Sequence, residues 1–96
     1  MRSNSLNQLV NKIKVVLKNH PVKRASLFGS YVRGDNTDDS DVDILVELEK
    51  GNSLLDLVRL ERTLSGHLQK KVDLVTYKSI SPHVKDYILQ DTLKIL

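Results

Sequence analysis

The chain has 96 residues with a formal net charge of +3, 40% hydrophobic and 28% charged residues, the make-up of one small globular domain over residues 1–96 with no room for a second core. It has no cysteine, which excludes disulfides, thiolate metal sites and a cysteine nucleophile. No apolar run approaches the ~20 residues of a membrane span, and the opening Met1-Arg2-Ser3-Asn4-Ser5 leads into a lysine-bearing amphipathic stretch, so no secretory signal and a cytoplasmic location are expected.

In chain order, Leu6, Leu9, Val10, Ile13, Val16 and Leu17 recur at helical spacing and predict a first helix over 5–19, with Ser5 and Gln8 as a capping box. Pro21 stops it. Val22 to Phe28 reads as a first strand ending at Gly29. Val42 to Leu48 alternates: Val42, Ile44, Val46 and Leu48 share one face, and Asp41, Asp43, Leu45 and Glu47 the other. After the turn Lys50-Gly51-Asn52, Ser53 and Asp56 open a helix that Gly66 is expected to close. Val72 to Thr76 is a third strand, and Ser81-Pro82 starts a last helix running into the 90s, which Lys94-Ile95-Leu96 are expected to leave. The fold class is α/β (α+β), a small mixed sheet packed with helices.

The charge is uneven. Residues 1–34 hold seven Lys and Arg and no acid, whereas residues 35–50 hold seven acids and one Lys. The basic residues are dispersed and aromatics are 4%, so base stacking has little material and nucleic acid is not an expected partner. Within the acidic block, Asp41 and Asp43 are two apart and project from the face opposite the core. Asp73 takes the equivalent place on the third strand; if the two strands are neighbours, three carboxylates converge. At ~4 Å and an effective dielectric of ~20, each like-charge pair costs on the order of 4 kcal/mol. Such a cluster takes up protons or binds a cation, and hard oxygen donors suit Mg²⁺ or Mn²⁺. Gly29-Ser30, followed by Arg33-Gly34, offers a close backbone approach, amide donors, a hydroxyl and a cation to a phosphate; an isolated Gly-Ser is more often a plain turn. His20, His67 and His83 lack metal-ligand spacing, and Asp35, Asp38 and Asp39 read as a solvated loop.

The stretch LFGSYVRG followed by SDVDILV resembles the DNA polymerase beta-type nucleotidyltransferase superfamily. It is most similar to the minimal nucleotidyltransferases that serve as antitoxins of HEPN toxins. The likeness covers nearly the whole chain; Val32 departs from it, standing where the family commonly has a small residue. The resemblance implies that Asp41 and Asp43 bind two Mg²⁺ ions, that Asp73 completes one site and helps deprotonate the acceptor, and that Gly29, Ser30 and Arg33 hold the triphosphate. It further implies transfer of AMP from ATP to a tyrosine hydroxyl of a HEPN-domain toxin. The alternative is a non-catalytic antitoxin that binds and masks the toxin.

Overall fold

The computed structural model describes residues 3–96. Helix α1 (Ser3–Leu17) is followed by β1 (Val22–Phe28), the one-turn helix α2 (Ser30–Arg33), β2 (Val42–Leu48), α3 (Leu54–Leu68) and β3 (Val72–Thr76). A 3-10 turn (Tyr77–Ser79), α4 (Pro82–Gln90) and the short strand β4 (Thr92–Lys94) complete the chain. The strands form one sheet in the order β3-β2-β1-β4. β2 and β3 are parallel, joined across α3, while β1 pairs antiparallel with β2 on one side and with β4 on the other.

The alternation of β2 dictates which way the sheet faces. Val42, Ile44 and Val46 are fully buried in one apolar cluster with Ile13 and Leu17 of α1 and Leu60 and Leu64 of α3. α1 and α3 therefore cover one face, and burial of a leucine or isoleucine there contributes about 1.5–3 kcal/mol. The other face carries Asp43 and Glu47. Leu45 belongs to that polar face by spacing, yet it is fully buried; the 3-10 turn packs on β2, and Ile80 just beyond it is also buried.

The three strands expected from sequence are found with the same bounds. The helices differ at their ends. α1 already runs from Ser3 and stops at Leu17, so Ser5 is inside it and not its cap; the Ser5 side chain lies outside the described residues. α3 opens as expected, with the Ser53 amide donating to Asp56 Oδ2 at 2.8 Å. It does not close at Gly66. The helix continues to Leu68, and Gln69 takes the left-handed conformation at φ 54°. The last helix ends at Gln90, and Thr92–Lys94 returns as β4 along the free edge of β1. Among the described residues, no helix is long and apolar enough to cross a membrane.

Candidate active site

Pairing brings the carboxylates together. In the parallel ladder of β2 and β3, Asp43 stands opposite Asp73, and residues in register on neighbouring strands direct their side chains to the same face. Asp41 lies just before β2 rather than on it, and its charge still acts on Asp43. The Asp43 carboxyl is held above the usual carboxylate range. Partial burial is the main cause, the negative charges of Asp73 and then Asp41 add to it, and the Arg33 guanidinium opposes it. All three expected acids thus form one electrostatic unit.

The Gly29-Ser30 segment is the second wall. Phe28, the last residue of β1, pairs with Asp43, so the chain turning out of β1 passes over the Asp43 carboxylate. Gly29 sits at φ 83°, ψ −150°, a region open essentially to glycine alone. A β-carbon there would fall 2.5 Å from Asp43 Oδ2. Ser30 starts α2, whose first amides have no partner within the helix. Arg33 and Gly34 close that turn, with the Gly34 amide on the Ser30 carbonyl at 2.9 Å. Arg33 Nε donates to Asp35 Oδ2 at 3.2 Å, which braces the start of the acidic loop while its charge reaches Asp43. Arg33→Ala is therefore expected to push the Asp43 carboxyl still higher, because the opposing cation is gone. Carbon-detected NMR titration of the Asp43 carboxyl reads this; an unmoved titration would show that Asp35 absorbs the whole charge of Arg33.

Lys71 is a site residue that the sequence reading missed. Its carbonyl accepts from the Val42 amide at 2.9 Å, and its Nζ lies 3.7 Å from Asp41 Oδ2. Such an exposed pair is worth about 0–1 kcal/mol. The only hint in the sequence is Lys70-Lys71 immediately before the third strand. Lys70 reaches the Asp38 carbonyl at 3.4 Å, and Asp35, Asp38 and Asp39 are exposed, as expected of a solvated loop.

Among the described residues, no three acidic or imidazole side chains already form a metal-ligating cluster. The donor set nevertheless suits a hard divalent cation: three mutually repelling carboxylates, one of them partly desolvated, gain most from a doubly charged neighbour.

The nucleotidyltransferase domain family matches residues 9–95. A candidate protein adenylyltransferase of Methanocaldococcus jannaschii is 50% identical over 92 residues, spanning 96% of this chain and 99% of its own length. A solved candidate minimal nucleotidyltransferase superposes with a TM-score of 0.80 at 35% identity, covering 92% of this chain and 93% of that one. A toxin-antitoxin crystal structure with AMP-PNP gives 0.78 at 27% identity, over 91% and 72% of the two chains. With a family match over residues 9–95, half of the aligned residues identical to those of a full-length relative and the fold shared with a solved candidate minimal nucleotidyltransferase, the chain belongs to the nucleotidyltransferase domain family.

Proposed function

We propose that this chain, acting as a single cytoplasmic nucleotidyltransferase domain, transfers AMP from ATP to a tyrosine hydroxyl of a HEPN toxin and so serves as its antitoxin. The observation that carries this reading is the register of Asp43 with Asp73 beside Asp41, closed in by Gly29. The relative named for protein adenylylation and the toxin-antitoxin structure with a nucleotide analogue support it.

In this reading Asp41 and Asp43 hold two Mg²⁺ ions, or Mn²⁺, with Asp73 completing one site. The ions supply neutralisation of triphosphate charge and stabilisation of the transferring group. The chain does the rest. Gly29 admits the triphosphate to the backbone, Ser30 donates from its hydroxyl and its own amide at the start of α2, and Arg33 adds a cation at the rim. Asp73 accepts the proton of the acceptor hydroxyl, whose oxygen bonds to the α-phosphorus as the bond to the bridging oxygen breaks and pyrophosphate leaves. A phenol, with a pKa near 10, needs such a base at neutral pH.

The test is intact-mass spectrometry of the toxin after incubation with the chain, ATP and Mg²⁺. Each AMP adds about 329 Da by the chemistry of adenylyl transfer, and Asp73→Asn removes the added mass. An unmodified toxin, inhibited equally by wild type and Asp73→Asn, would establish masking in its place.

A further inference from the structure

The polar face of the sheet carries a second constructed feature, away from the carboxylates. An open pocket of about 420 Å³ is lined by Lys23, Arg24, Ser26, Tyr77, Lys94 and Leu96. Its floor is ordered by specific contacts. The Arg24 guanidinium lies 4.0 Å from the centroid of the Tyr77 ring. Arg24 Nε donates to Glu47 Oε1 at 2.6 Å. The Tyr77 hydroxyl donates to Ser26 Oγ at 3.1 Å, so the ring crosses β2 to reach β1. Lys94 pairs with Ser26 in the ladder of β1 and β4 and points to the same face. Lys23 and Arg24 thus flank the Glu47 carboxylate, while Lys94, across β1 from it, lines the pocket with no acidic partner among the described residues. Lys23 is 3.9 Å from Glu47 and 63% exposed, free to turn toward a ligand.

The pocket is continuous with the catalytic face. Ser26 is two residues before Phe28, the partner of Asp43, and two strand residues span about 7 Å. The opposite face is filled by α1 and α3, so a protein that brings a hydroxyl to Asp73 must approach over this side. The triphosphate does not account for the pocket, because its cradle is at Gly29 and Ser30. Resting on the adenylyl-transfer reading, we propose that the Lys23–Arg24–Tyr77–Lys94 pocket docks an acidic segment of the acceptor protein and holds it beside the carboxylates. Arg24 is fixed by Tyr77 and Glu47 and sets the shape, while Lys23 and Lys94 supply the charge that selects the partner. Charges at such a rim govern encounter and choice of partner.

The test uses the full chain and three fluorescein-labelled probes at one ionic strength: hexaglutamate, hexalysine and hexauridylate RNA. Wild type is expected to prefer hexaglutamate. Lys23→Glu with Lys94→Glu should weaken it by about tenfold or more and reverse the preference toward hexalysine, and Lys23→Ala with Lys94→Ala should give a smaller loss. The control pair Lys12→Glu with Lys18→Glu makes the same change in net charge at exposed positions of α1 and its end; it should stay within about twofold, as expected where charge acts locally. AMP-PNP affinity should also stay within about twofold in the Lys23/Lys94 variants, since neither lysine is in the triphosphate cradle. Equal loss in the control, no binding of hexaglutamate, or tighter binding of the RNA through the same lysines overturns the docking site. Peptide binding is read without turnover, so a toxin left unmodified in the mass assay defeats the adenylyl-transfer reading separately.

Discussion

Asp43→Asn is expected to lower transfer by on the order of a thousandfold, since on the proposed reading Asp43 is a metal-binding carboxylate and such a group supplies several kcal/mol of transition-state stabilisation, while the thermal midpoint stays level or rises. The two effects share one cause. Folding places Asp43 where burial, Asp73 and Asp41 all disfavour its charge and raise its carboxyl above the ordinary 3.8. A carboxyl raised in this way favours the folded state only while protonated. That contribution is present below the ordinary value and is lost as pH climbs through the raised one, so at neutral pH the ionised side chain costs stability. Asparagine keeps the shape and removes the charge. Melts at pH about 7 should therefore favour the variant, and the difference should vanish as the pH falls below the ordinary carboxylate value. Added Mg²⁺ should raise the wild-type midpoint and leave the variant where it is, because only the wild type gains a bound ligand. Substantial transfer by Asp43→Asn, or an equal Mg²⁺ response, would remove Asp43 from the metal site.

How much of this was legible in the sequence follows from how many residues each feature needs to declare itself. Val42 to Leu48 spans enough alternations to show a period of two, and its bounds were readable to the residue. β4 has three residues, too few for any period, and it is a strand only because β1 offers an unpaired edge. Leu45 shows the limit of alternation: spacing puts it on the wet face, yet it is fully buried, and a turn more than thirty residues later packs on its strand. Gly66 was the obvious helix stop, but residues continue to pack through Leu68, and Gln69 accepts the left-handed conformation instead. In the site, Gly29, Ser30, Asp41 and Asp43 fall within one stretch of fifteen residues, in two short motifs near each other in the chain, so their proximity was readable locally. Asp73 was conditional on β2 and β3 being neighbours, which pairing alone decides. Lys71 and the Arg24–Tyr77 stack join residues 30 and 53 positions apart, and no local pattern announces such contacts.

Gly29→Ala tests the joint between the phosphate turn and the carboxylates. Two independent costs meet at this residue. The backbone at φ 83°, ψ −150° is strained for any residue with a β-carbon, by about 1–3 kcal/mol. The added carbon would also fall 2.5 Å from Asp43 Oδ2 and 3.3 Å from its Cγ, so the carboxylate must move. For a domain of this size, 1 kcal/mol shifts the midpoint by roughly 4–8 °C, which makes a fall of about 5–20 °C the expected result. Transfer should fall with it, at temperatures where the variant is still folded, because Asp43 no longer stands where its register with Asp73 put it. A double-mutant cycle separates the two costs. Asp43→Ala removes the oxygens and leaves a β-carbon 3.4 Å away, an ordinary contact. In that background Gly29→Ala should retain the backbone penalty and lose the collision, so its destabilisation should be smaller than in wild type. Equal destabilisation in both backgrounds would place the whole requirement for glycine in the backbone conformation. A cycle that closes with a large coupling would instead show that this position is glycine chiefly to let the Asp43 carboxylate lie against the turn.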